Sequence, residues 1–305
     1  MTSDAAATAP DAPAPDARQR RLGPLPLALA AIVSVQFGNA LAGTTFAEVG
    51  ALGAASLRLL FAAVILVVVL RPSVRGWTRR VWIGVIALGI GLAGMNSLIY
   101  LAIERVPIGV AVAVELIGPL AVAVAGTRRP RDLLWVALAA VGVGMLALDS
   151  EGAVAIAGIA LAAGAAAFWA LYILASARLG ATSVRGVDGL AVAMVVAAVI
   201  VVPFGAGSAT SAVVADPMLL AVFAGIALMT SALPYALEFI ALKTMPTRVF
   251  GVLSSLGPVV AALAGLIVLG QVLSFLQLAA IALVIAASAG AVVSASASAS
   301  ASARR

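Results

Sequence analysis

Glu115 stands in the run VELIGPL, residues 114–120, within a stretch otherwise built of Val, Ala, Leu, Ile and Gly. A charged side chain at mid-bilayer costs on the order of 3 kcal/mol, so such groups face a bundle interior or a watery cavity. Its chemistry is that of a proton carrier: protonated it is neutral, ionised it is a counter-ion for a cation. Arg58 is a second ionisable group inside an apolar run, and a guanidinium grips a carboxylate through two parallel hydrogen bonds. Two readings stand side by side. Glu115 and Arg58 neutralise each other as a static strut, or they handle a proton and a substrate carboxylate as parts of a gate. Glu238, in LPYALEFIALK, lies about one turn from the end of its run and near Lys243. It fits an interfacial ion pair as well as it fits a gate or release path.

Gly118-Pro119 follows Glu115 three residues later, after Leu116 and Ile117. Proline has no N–H, and its ring clashes with the carbonyl four residues back, which is that of Glu115. A freed carbonyl beside a carboxylate, with glycine allowing close approach, makes a local polar opening; a harmless kink is the plainer reading. The same dipeptide recurs as Gly257-Pro258. Gln36, Asn39, Asn96, Ser97, Tyr100, Trp169, Tyr172 and Tyr235 are the other polar or amphipathic groups inside apolar runs. Each could line a cavity, bond to a neighbouring helix or anchor at an interface. The chain has no Cys and no His. Disulfides, thiolate chemistry, His-based metal sites and imidazole relays are therefore excluded, and no cofactor is expected.

The elements that must position these groups are membrane helices. Hydrophobic residues make up 64% of the 305-residue chain and charged residues only 10%, against about a quarter in soluble domains. Runs long enough to span a bilayer, about 20 residues each, recur along the sequence at roughly 25–43, 50–70, 81–103, 107–126, 133–148, 154–176, 187–204, 218–242, 248–269 and 273–293. The expected class is an all-α membrane protein of ten transmembrane helices. Residues 1–24, rich in Ala, Pro and Asp, read as a disordered cytoplasmic lead, and 294–305 as a low-complexity cytoplasmic tail.

All but two of the 18 Lys and Arg residues fall on one side of this scheme; Arg58 lies within the second run and Arg105 on the other side. Merging or splitting any run scrambles the asymmetry. The positive-inside rule then places both termini in the cytoplasm of an inner or plasma membrane. The net charge of +6 comes from these short clusters, so nucleic acid is not an expected partner.

A shift of 139 residues lays YLAIERVPIGVAVAVELIGPLAVAVAG (100–126) over FIALKTMPTRVFGVLSSLGPVVAALAG (239–265) without gaps. Pro107 meets Pro246, Gly118-Pro119 meets Gly257-Pro258, and Gly126 meets Gly265. Two units of five spans, 25–148 and 154–293, would insert in opposite directions because five is odd. Inverted repeats with interrupted helices are a plan of secondary transporters, with the substrate near the midplane.

On these strings, together with RRPRDLLWVALAAVGV and LPYALEFIALKTMPTRVFGVLSSLGPVVAALAGLIVLGQ, the chain resembles the drug/metabolite transporter superfamily. The likeness is to its ten-span type of two EamA-like repeats, most of all the threonine/homoserine exporter branch. It covers nearly all of 25–293. The resemblance implies a carrier that exports amino acids or similar small metabolites, with protons as the driving partner. The chain departs from the family's pattern at Gly257 and Gln271, where relatives commonly carry Glu, so no coupling role is carried over to those positions. A drug-type efflux or uptake carrier on the same scaffold is the competing expectation, and oligomeric state is left open. A membrane enzyme lacks its nucleophile or metal constellation here, and a channel lacks a repeated polar stripe.

Overall fold

The computed structural model describes residues 24–125, 133–149, 152–182, 186–242 and 247–302. The lead, the basic residues Arg128, Arg129, Arg131, Arg185 and Lys243, and the terminal Arg304 and Arg305 lie outside them. Within lipid every backbone donor and acceptor must be satisfied inside the chain, and Ala-, Leu- and Val-rich runs do this by coiling into helices. The helices are α1 (Pro24–Gly43), α2 (Phe46–Leu70), α3 (Arg79–Ile103), α4 (Ile108–Glu115), α5 (Ile117–Ala125), α6 (Leu133–Leu148), α7 (Gly152–Gly180), α8 (Gly186–Ala215), α9 (Met218–Ala227), α10 (Leu233–Leu242), α11 (Thr247–Ser254), α12 (Gly257–Leu269) and α13 (Phe275–Ser302). Among the described residues, nine helical segments are long and apolar enough to cross a bilayer, and α6 is a tenth, apolar and shorter at 16 residues.

Three spans are assembled from pieces. The fourth is α4 and α5, interrupted at Leu116; the ninth is α11 and α12, interrupted at Ser255 and Leu256. The eighth joins α9 to α10 through a wide turn, Leu228–Ala232, in which the Leu233 N–H reaches back five residues to the Leu228 carbonyl. Pro234 explains that turn: it cannot donate to the Thr230 carbonyl, so the backbone widens to re-pair around the gap.

The observed boundaries correct several expected ones. The seventh span does not stop at residue 204 but continues through Pro203 to Ala215. Gly205 explains the tolerance, because a Cβ there would overlap the Leu52 carbonyl and the Ser56 hydroxyl of α2. Ser56 also donates to the Val201 carbonyl at 3.2 Å, adding a bond between the two helices close to the proline. The last helix runs past residue 293 into the Ser-Ala alternation, since alanine is the best helix former however repetitive its context. Helix α2 begins at Phe46 rather than residue 50 and takes a non-helical step at Gly50, with φ 68° and ψ 161°.

The packing inverts that of a soluble protein. Val68, Val69, Leu148, Phe204 and Phe275 are exposed on the outside, as a lipid-facing surface requires. The interior is rich in alanine and glycine, whose small size lets backbones approach closely. Helix α2 packs on α8, α3 on α7 and α8, α6 on α13, α1 on α10 and α12, and α4 on α12. This arrangement brings the middle of α2 together with the C-terminal parts of α1, α3 and α4 at one point.

Candidate functional site

That point is polar. Gln36 and Asn39 sit one turn apart on α1, so they share a face, and both are buried. Arg58, 6% exposed, extends from α2 and donates from Nη1 to Asn39 Oδ1 at 3.0 Å. Its guanidinium carbon lies 5.2 Å from the centre of the Tyr100 ring, within cation–π range. Tyr100, fully buried on α3, is held in turn by Phe46 at 5.5 Å between ring centres. Glu115 closes the group at the end of α4, 8% exposed and within electrostatic reach of Arg58.

The expected ion pair is not formed. Among the described residues the one ion pair is Glu104 with Arg105 at 2.9 Å, outside this group. Arg58 turns to Asn39 and Tyr100 instead, because those two flank it on neighbouring helices and together hold one edge and one face of the guanidinium. Among the described residues, Arg58 Nε and Gln36 Oε1 are buried without a hydrogen-bond partner. A static strut would have used these atoms; here they are left unbonded, near a carboxylate that forms no ion pair among the described residues. Unmet buried donors and acceptors cost about 1–3 kcal/mol each, and a polar ligand would satisfy them.

The interruptions frame this centre. The proline at 119 leaves the Glu115 carbonyl without its helical donor, and the chain turns at Leu116 before α5 resumes. Gly118 and Gly257 do different work despite their equivalence in sequence. A Cβ on Gly118 would overlap the Ala166 carbonyl, so that glycine is required for α5 to lie against the backbone of α7. A Cβ on Gly257 would meet only Gln36 Nε2 at 3.6 Å and Val112 at 3.9 Å, which leaves room beside the polar centre. Pro258 is buried in the first turn of α12, where a missing N–H costs nothing.

A second group lies on α7 and α10. Tyr172, Tyr235 and Glu238 are half-buried and within electrostatic reach of one another, and Tyr235 also senses Arg58, linking the two groups. Lys243, the expected partner of Glu238, lies outside the described residues. Trp169 is half-buried one turn before Tyr172. Asn96 is not free to line a cavity with its amide donor, which bonds the Leu92 carbonyl of its own helix at 2.7 Å.

Three groups escaped the sequence reading. Ser34 of α1 donates to the Met229 carbonyl at 2.7 Å, and Thr230 and Ser231 are buried within the wide turn. The signal was present as Thr-Ser just ahead of Pro234. Two apolar clefts, of about 450 and 370 Å³, lie between α2 and α8 and beside α12 and α13. Neither is lined by Glu115 or Arg58.

An apolar helical bundle, interrupted around buried ionisable groups, defines a multi-pass membrane protein with a polar centre. Residues 156–293 match the EamA-like transporter family. The threonine/homoserine exporter RhtA of Escherichia coli (strain K12) is 42% identical over 269 residues, covering 87% of this chain and 89% of that protein. The RhtA of Salmonella typhimurium (strain LT2) is 42% identical over 266 residues with the same coverages. A crystal structure 22% identical in sequence superposes with a TM-score of 0.52 over 88% of this chain and 98% of its own, a likeness of fold. The chain belongs to the EamA-like transporters of the drug/metabolite transporter superfamily, and is a cell-membrane transporter rather than an enzyme.

Proposed function

We propose that this protein exports amino acids of the threonine and homoserine kind, driven by protons, through alternating access between two inverted five-helix repeats, 25–148 and 154–293, with both termini in the cytoplasm. The observation that carries the reading is the buried Arg58, bonded to Asn39 yet with Nε unsatisfied, near a buried Glu115 that forms no ion pair among the described residues. An amino acid is a zwitterion, and this centre offers one group for each pole. Arg58 receives the carboxylate, with Tyr100 and Asn39 fixing the plane of the guanidinium. Ionised Glu115 receives the ammonium, and Gln36 Oε1 takes a further N–H or hydroxyl. A proton on Glu115 removes the ammonium's counter-ion, so proton and substrate compete for one carboxylate and exchange across the membrane.

The repeat arrangement draws support from the packing. The third span lies on the sixth as the eighth lies on the first, while the second meets the seventh and the fifth meets the tenth. The breaks at Leu116 and Ser255 are the positions that the 139-residue offset equates. The relatives named as threonine/homoserine exporters support the substrate class. The test is export from cells loaded with labelled threonine, homoserine and unrelated drugs. Faster loss of the amino acids on expression supports the reading; loss of the drugs alone points to the efflux-carrier alternative and overturns it.

A further inference from the structure

One end of the seam between the fourth and ninth spans is shut by glycines and a single amide. Helix α4 packs along α12, most closely where the side chains are smallest. A Cβ on Gly109 would stand 2.9 Å from that of Ala262, and one on Gly265 would stand 2.7 Å from Ile108 Cγ2 and from Gln271 Oε1. Gly270 ends α12 in the left-handed region at φ 65°, and the chain doubles back so that the Gln271 N–H donates to the Gly265 carbonyl at 3.0 Å. That turn carries the Gln271 side chain over the tip of α4, where Oε1 accepts the Ile108 N–H at 3.0 Å. Ile108 is the first residue of α4, so its N–H has no acceptor in its own helix.

The counterpart crossing is different. The 139-residue offset equates α4 with α11 and α12 with α5, yet α5 and α11 form no packed pair among the described residues. One crossing is closely packed and its mate is not among the closely packed pairs of the described residues, as expected of a carrier resting with one door shut.

We infer that Gln271 is the latch of the outer gate, a positioning residue that pins the tip of α4 to α12 while the protein is closed outside. The sidedness rests on the orientation given under the proposed function. A single neutral hydrogen bond suits this role, since it shifts a two-state population by about fivefold and is weak enough to break in every cycle. Glycines 109 and 265 make the closed seam possible; Gln271 holds it.

The absence of cysteine makes the test clean. Val112→Cys places one thiol on α4, one turn beyond Ile108, and its reaction with a membrane-impermeant maleimide added outside reads how often the seam parts. In the Gln271→Ala background the rate is expected to rise about fivefold, and in Gln271→Glu, which keeps an acceptor, to return to that of Gln271. Equal labelling in the Gln271 and Gln271→Ala backgrounds, or labelling only from the inner face, would overturn the latch. The labelling needs no transported solute, so a wild-type chain that exports no amino acid fails the functional reading while leaving the latch to be judged on the maleimide rates.

Discussion

Removing the Asn39 side chain tests the polar centre at its tightest contact. Asn39 Oδ1 is the side-chain acceptor that Arg58 Nη1 uses, at 3.0 Å, and Arg58 Nε is already unpartnered. A hydrogen bond to a charged group contributes about 1.5–3 kcal/mol, and the buried guanidinium left behind in Asn39→Ala cannot turn to water. The cation–π contact with Tyr100 survives and contributes about 0.5–2 kcal/mol. The expected loss is therefore about 2 kcal/mol of stability from Asn39→Ala. Reversible unfolding in mixed detergent micelles measures it, and a double-mutant cycle with Arg58→Leu isolates the contact. Once Arg58 is gone the Asn39 acceptor has nothing to hold, so the two substitutions should fall short of additivity by about 1–2 kcal/mol. A second cycle, pairing Arg58→Leu with Glu115→Gln, should show a smaller coupling, because those groups form no direct ion pair. Additivity of Asn39 and Arg58 within about 0.5 kcal/mol, or a larger coupling for Arg58 with Glu115, would refute the account of which group holds the guanidinium.

The two Gly-Pro sites should respond differently. Gly118→Val drives a side chain into the Ala166 carbonyl and should cost about 1–3 kcal/mol, seen as a lower melting temperature in detergent; Gly257→Ala has room and should stay within about 0.5 kcal/mol of wild type. Ser34→Ala removes the bond to the Met229 carbonyl at 2.7 Å and should cost about 1 kcal/mol, with faster hydrogen exchange across residues 228–232 as the local readout. Gly205→Leu should prevent α2 and α8 from closing, because a Cβ there already overlaps the Leu52 backbone, and the protein should fail to accumulate in membranes while Gly207→Leu, which faces open space, accumulates normally.

Much of the scaffold was legible because bilayer thickness sets a length and apolar composition meets it. All ten expected spans have helical counterparts, down to the short one at Leu133–Leu148. The breaks near Gly118-Pro119 and Gly257-Pro258 were legible too, since a proline cannot donate the N–H that continues a helix past it. What escaped depends on neighbours. Pro203 ends nothing because Gly205 lets α2 press close behind it, and no local pattern within residues 187–215 announces that contact. Pro234 widens its helix instead of ending it. Arg58 and Glu115 both reach the buried centre, as their place inside apolar runs suggested, but rotation about the helix axis, fixed by packing, turned Arg58 to Asn39. Gln271 was visible as a departure from the family pattern; its hold on Ile108 spans 163 residues of sequence and needed the fold.

The central claim is that Glu115 takes a proton and an amino acid by turns. Purified protein reconstituted in one orientation, loaded with labelled threonine and given an acid exterior, measures it most directly. The imposed gradient should accelerate threonine efflux in wild type, collapsing the gradient should remove the acceleration, and Glu115→Gln should fold yet show no response to it. Gradient-driven efflux undiminished in Glu115→Gln at equal protein would contradict it.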